Sequence, residues 1–316
     1  MRLRTLALFG LKLAISAGAL WYVSRQIDFT TLANHFPNPW SWQVLVAEIC
    51  LLVALLISVF RWQLILMWQG HDLPLRPLWA ITWIANFFAL LLPGGIGRDI
   101  SRGIYLTRFR IGALEVTRSI LTDRFIGLVS VVVLSVPCMI FALSAAGPLH
   151  LLGWMLLVLC IGMPLGLVLC RWLDRWYYAR QSPDQQSRLA KTIHAIAAIL
   201  RDFRTPRLFG LPFAQSCAMM AATILCVMAL SGAIGGFSAP LWSQPLFLPV
   251  IFLLSQLPIS IAGIGVREAA FVSLFGAVGA TAEQALALSL AFFTLGVVNN
   301  LIGGLVYLAF RRRQTP

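Results

Sequence analysis

Three pairs of opposite charges interrupt an otherwise apolar chain. Asp99 and Arg102 are three residues apart, so a helix would carry them on one face. Asp123 and Arg124 sit inside the run "SILTDRFIGL", and Arg267 and Glu268 follow the glycines of "LPISIAGIGVREAAFVSLF". Ionisable groups at membrane depth are costly, so they pair, face the protein interior and mark substrate or ion pathways. A guanidinium presents N–H donors that match phosphate and carboxylate oxygens, so this set suits an anionic or zwitterionic headgroup leaving water. The three carboxylates Asp99, Asp123 and Glu268 are the candidates for proton coupling. Arg61 and Asn86, in the apolar segments ahead of the first pair, complete the candidate binding set. Arg61 also has a plainer reading, a side chain near the end of a span that snorkels to lipid phosphate.

Two glycine turns must position these charges. Pro93, Gly94, Gly95 and Gly97 precede Asp99, and Pro258, Gly263 and Gly265 precede Arg267. In both places an apolar half-helix stops and a charged helix starts. Irregular backbone cannot face acyl chains, because its unpaired N–H and C=O groups would each cost several kcal/mol. Such turns must be packed in protein or line a wet cavity, where half-helix N-terminal amides can hold an anion.

The surrounding composition sets the class. Hydrophobic residues make up 59% of the 316 positions and charged residues only 11%, far below the roughly 25% of soluble domains. Several apolar runs reach the ~20 residues that cross a bilayer. The net charge of +13 lies in short loops between those runs, where topology signals sit, and leaves no basic module for nucleic acid. Four scattered His and six Cys in apolar stretches without a CxxC pair offer no metal site. No motif calls for a cofactor, and none of the GxxxxGKS type is present.

The expected fold is an all-α polytopic membrane protein, a single domain over residues 1–316. About six full spans fall near 5–24, 43–66, 119–146, 150–170, 208–236 and 285–309, with two re-entrant helical hairpins near 78–106 and 246–280. Charge parity drives that reading. Arg98, Arg102, Arg108 and Arg110 stay on the same side as Arg2 and Arg4 only if the first hairpin enters and returns. The same rule makes the first hairpin open inward and the second outward, with both termini cytoplasmic. Each hairpin lies between two spans of opposite direction, so the two halves form an inverted repeat, a recurring transporter architecture. Trp40, Trp42 and Trp242 fall at the outer belt, and Trp62, Trp68 and Trp79 at the inner one. The segment 171–207 carries eight Lys/Arg against three Asp. Its stripe of Leu189, Ile193, Ile196, Leu200 and Phe203 predicts an amphipathic helix on anionic inner-leaflet lipid. Glu48 reads as interfacial, and Asn299-Asn300 as interhelical hydrogen-bonding residues.

The ordered motifs "FRWQLIL", "NFFALLLPGGIGRDISRGIYL", "SILTDRFIGL" and "LPISIAGIGVREAAFVSLF" resemble the family of the lysylphosphatidylglycerol synthase transmembrane region, the flippase-like domain of the multiple peptide resistance factor. The resemblance covers essentially the whole chain. Two positions depart from the family pattern: Gly97-Arg98-Asp99 stands where Gly-Gly-Asp is usual, and Asp123-Arg124 where Glu-Arg is usual. The resemblance implies a translocase moving a polar-headed lipid, such as an aminoacylated phospholipid or related glycolipid, between leaflets of the bacterial inner membrane. It further implies a stand-alone member without the synthase domain, hence not an aminoacyltransferase. The alternatives are a membrane-embedded transferase, or an accessory protein in a lipid, hopanoid or lipid-linked sugar pathway. Expected partners are the lipid substrate, anionic inner-leaflet lipids, and a second copy or a lipid-biosynthesis enzyme.

Overall fold

The computed structural model describes residues 17–19, 21, 24–25, 29–91, 96–144, 148–178, 206–256 and 263–312. Most of the first expected span, the tips of both hairpins including Pro93, Gly94, Gly95 and Pro258, and most of the amphipathic segment 171–207 lie outside them. All regular structure among the described residues is helical.

A short helix α1 (Phe29–Asn34) leads to α2 (Trp42–Trp68), which begins where the Ser41 hydroxyl accepts the Val44 amide at 3.4 Å. Then come α3 (Leu75–Leu91) and α4 (Ile96–Thr107), followed by α5 (Ala113–Leu134) and α6 (Val136–Ser144), which nearly continue one another. The break at Ser135 precedes Pro137, whose ring and missing N–H interrupt the helical ladder. Next are α7 (Pro148–Tyr178), α8 (Pro206–Ala233), α9 (Ser243–Gln256), α10 (Val266–Gly276) and α11 (Ala282–Arg312).

Four of the described helical stretches are long and apolar enough to cross a membrane: 42–68, 113–144, 209–233 and 282–309. The protein is membrane-embedded and multi-pass. The helices flanking the two glycine turns are different. At 12 and 11 residues, α4 and α10 rise about 18 and 16 Å, too little for a hydrocarbon core of roughly 30 Å. Each packs back against the apolar helix before it, α4 on α3 and α10 on α9. These are the two helical hairpins that the turn residues predict.

The helix contacts repeat in a reciprocal pattern. Each half is a triplet of opening helix, hairpin and closing helix (α2, α3–α4, α5; α8, α9–α10, α11), and the opening helices α2 and α8 pack along each other. The entering arm of hairpin one, α3, lies on α11, while the entering arm of hairpin two, α9, lies on α5. The returning arms α4 and α10 pack on α5 and α11. Each hairpin is thus held between its own triplet's last helix and that of the other triplet, as an inverted repeat requires. A glycine pair permits the closest of these contacts. A Cβ on Gly303 would stand 2.1 Å from the Trp83 carbonyl oxygen, and one on Gly304 would stand 2.9 Å from the Phe87 ring.

Each hairpin has its own apolar cluster. Trp62, Leu66, Leu78, Ile81 and Leu106 bury hairpin one against α2. Phe247, Phe271 and Phe275 bury hairpin two, with Phe271 and Phe275 stacked at 5.5 Å and Phe247 edge-on to Phe275 at 5.7 Å. Trp62 is fully buried, which corrects its assignment to an aromatic belt: it lies on the α2 face turned toward hairpin one.

Candidate functional site

Asp123 of α5 joins four helices. Its Oδ1 accepts the Arg61 Nε hydrogen of α2 at 2.8 Å, and its Oδ2 accepts an Arg102 Nη1 hydrogen of α4 at 3.0 Å. A second Arg61 donor, Nη1, reaches the Ser216 hydroxyl of α8 at 2.8 Å. That hydroxyl in turn donates to the Pro212 carbonyl within its own helix. Arg61, Arg102 and Asp123 are only 5%, 3% and 6% exposed, so the snorkelling reading of Arg61 is corrected. Its position, about 10 Å along α2 from the terminal Trp68, faces α5 and α8 instead of lipid. Gly127, one turn after Asp123, packs beside the guanidinium, where a Cβ would stand at an ordinary contact distance of 3.7 Å from Arg61 Nη1.

The pairing differs from the sequence spacing in an instructive way. Asp99 and Arg102 do share the face of α4 turned to α5, but they do not pair with each other. Arg102 meets Asp123, and Asp99 meets Arg124. Consecutive residues on a helix point about 100° apart, so Asp123 turns inward while Arg124 stays at the edge. Accordingly the Asp99 and Arg124 side chains keep 26% and 51% exposure. Gly97 is buried at the start of α4 and Arg98 beside it is exposed. Asn86 is half-buried on α3, and among the described residues no hydrogen bond ties it to the Asp123 network.

The buried network is unbalanced in charge and in donors. Two guanidiniums share one carboxylate, leaving one positive charge in excess. The Arg102 guanidinium lies 4.4 Å over the Trp62 ring, a cation–π contact that holds it flat. Both Arg102 Nε and Trp62 Nε1 are buried without an acceptor. Buried donors normally have partners, so this corner lacks oxygens. The sequence reading missed Trp62 and Ser216. The adjacency of Trp62 to Arg61 in "FRWQLIL" was the available signal.

At the second hairpin, Gly263 and Gly265 adopt φ of +79° and +84°, a region that L residues with a Cβ enter at a cost. Gly263 also packs against Ser255, whose carbonyl oxygen would stand 3.0 Å from a Cβ. Glu268 is the lock of this turn. Its Oε2 accepts the Gly265 amide at 2.7 Å, and its Oε1 accepts the Arg267 Nε hydrogen at 3.0 Å and the Ser289 hydroxyl at 3.5 Å. Arg267 also sits 4.6 Å over Phe293 of α11. At the start of α10 an internal carboxylate therefore occupies the place that an anionic ligand would take at a helix N-terminus. The candidate residues thus form one group at hairpin one and a separate one at hairpin two, linked through α11. Among the described residues, no group of three or more His, Cys, Asp and Glu could hold a metal ion.

No curated protein matches the chain. The model of one family, described as the lysylphosphatidylglycerol synthase TM region, matches residues 10–304, and that span includes both hairpins and every candidate residue. The chain belongs to this family, and is a multi-pass membrane protein linked to lipid metabolism or transport.

Proposed function

We propose that the protein is a lipid translocase, carrying a polar-headed lipid such as an aminoacylated phospholipid or a related glycolipid between leaflets of a bacterial inner membrane. The observation that carries this reading is the Arg61–Asp123–Arg102 network, with one cation in excess and two stacked, buried donors lacking acceptors. A phosphodiester supplies the charge and the oxygens this corner lacks, and charge-assisted N–H···O bonds replace the water the headgroup gives up. The half-exposed Asp99–Arg124 pair forms the rim, where a headgroup meets Arg124 before Arg102. The acyl tails stay in lipid, so only the head needs a polar path. Hairpin two supplies the matching element from the opposite side, with Arg267 kept in place by Glu268. Under the positive-inside rule the Arg61 end of α2 and both termini face the cytoplasm.

The test is flipping of headgroup-labelled phospholipids in vesicles carrying the purified protein, read by accessibility to an impermeant quencher. Arg102→Gln is expected to lower the initial rate at least tenfold while the protein still purifies as a folded species. Undiminished flipping by Arg102→Gln would remove the site. Turnover of a lipid-linked donor by the pure protein would replace the reading with a transferase.

A further inference from the structure

The cations of hairpin one continue past the buried network to the elbow that joins α4 to α5. Residues 107–119 hold Arg108, Arg110 and Arg118 against a single acid, Glu115. That acid is turned elsewhere: its Oε2 accepts the Gly112 amide at 3.3 Å and meets His71 Nε2 of the α2–α3 loop at 3.1 Å. All three arginines are exposed, and Arg108 lies 4.7 Å over the Tyr105 ring. The chain reverses tightly here, the Phe109 and Arg110 amides donating to the Leu106 and Thr107 carbonyls at 2.9 and 3.1 Å. The membrane-crossing stretch 113–144 begins at this elbow, which sets the arginines at headgroup level. Arg118, about 8 Å into the helix, is within snorkelling reach of it.

From the elbow an open face runs to the rim of the site. Leu114, Thr117, Leu121, Arg124 and Leu128 follow one another at spacings of 3, 4, 3 and 4, which makes them one stripe of α5. Every member is exposed, Leu114 at 81%. On α4, Ile100 and Ile104 are exposed beside Asp99. The ion pair of Asp99 with Arg124 stitches the two helices along the edge where both open faces meet. Arg124 therefore belongs to the rim of the buried network and to the lipid-facing stripe at once.

We infer that the α4–α5 seam is a lateral portal that docks an anionic phospholipid, phosphate on the elbow arginines and acyl chains along Ile104 and Leu121. The head then descends about 9 Å of α5, from Arg118 to Arg124, while the chains stay in the bilayer. This rests on the translocase reading and names the lipids that enter it. Charge selects the occupant. Guanidinium donors match phosphate oxygens, and basic clusters at a membrane surface gather anionic lipid. A zwitterionic lipid brings the same phosphate and chains but also a cation, which the elbow repels. Of the lipids that the translocase reading allows, the seam thus favours net negative heads over those carrying an ammonium. By the positive-inside rule the elbow draws them from the cytoplasmic leaflet.

Two measurements test it separately. The first places a fluorophore on Thr117→Cys, or on Val158→Cys of the exposed α7 face as a reference, with the native cysteines replaced. The protein is reconstituted with phosphatidylglycerol or phosphatidylcholine brominated on the acyl chains, at equal mole fraction. Quenching at Thr117→Cys, relative to the reference, should be several-fold stronger with the anionic lipid. Gln at Arg108, Arg110 and Arg118 together should abolish the preference, and Lys at the same positions should keep it. Equal quenching by the two lipids, or a preference that survives the Gln variant, overturns the docking surface. Quenching by neither lipid also overturns it, by putting another segment of the chain or a second copy on this face. In flipping vesicles, the Gln variant should slow labelled phosphatidylglycerol several-fold more than labelled phosphatidylcholine. An unchanged ratio of the two rates overturns the portal. Wild-type protein that flips neither lipid sinks the translocase reading, while the quenching still decides whether the seam holds anionic lipid.

Discussion

At the scale of single residues, Asp123 is the position on which most depends. It neutralises one of two buried guanidiniums and orients both, so removing it leaves Arg61 and Arg102 close together without a counter-charge. Breaking a buried ion pair by deleting one partner costs about 3–5 kcal/mol. Asp123→Asn is therefore expected to lower the thermal stability of the detergent-solubilised protein by far more than Arg102→Gln does. Adding Arg102→Gln to Asp123→Asn should recover part of the loss, because one of the two stranded cations is gone. A strictly additive double mutant would show that the residues do not act as a network. Glu268 makes a contrasting case. It caps the Gly265 amide as well as pairing Arg267, and a neutral amide keeps the shape but loses the charge. Glu268→Gln is expected to cost about 1–2 kcal/mol and to slow flipping, while Glu268→Asp, too short to span the same bonds, should cost more. Equal melting temperatures for wild type and both variants would contradict the cap.

Among the elements, the hairpins were legible because their cause is local. Glycine and proline at the tips and charge after the tips leave α4 and α10 too short and too polar to span. The cross-pairing of Asp99 with Arg124 and Arg102 with Asp123 was not legible, because it depends on how α4 is rotated against α5, and a sequence shows spacing along a helix but not azimuth between helices. The burial of Trp62 escaped for the same reason: it depends on which face of α2 meets hairpin one. Gly303 belongs here too. Nothing in "LIGGLVYLAF" distinguishes it from a lipid-facing glycine, yet a side chain there would strike the Trp83 carbonyl. Gly303→Ala is expected to force α3 from α11 and destabilise by about 1–3 kcal/mol. The same change at Gly296, which has open space around the Cβ position, should be neutral or slightly stabilising by helix propensity. Similar melting temperatures for the two variants would mean that α3 and α11 are not in close contact.

For the whole molecule, the inverted repeat makes a claim that no single residue can carry: the two hairpins must open to opposite sides. The reciprocal contacts of α3 with α11 and α9 with α5 are those a two-fold relation between the hairpins would give, and inverted-topology repeats place that axis in the membrane plane. The +13 charge adds direction, since its arginines crowd the loops that one side of such a fold presents. Cysteines introduced at Ile96 and Ile264, one beside each turn, report this directly in a background with the six native cysteines replaced. Those native thiols lie in apolar segments without CxxC spacing, so their loss should leave the fold intact. Ile264 is 36% exposed next to the Gly263 and Gly265 turn. An impermeant maleimide is expected to label Ile264→Cys from outside intact cells, and Ile96→Cys only in inside-out vesicles. Labelling of both from one side would break the two-fold relation and with it the alternating route for a headgroup. Labelling of neither, with both reactive after denaturation, would put the turns in dry protein, where no polar head could reach Arg102 or Arg267.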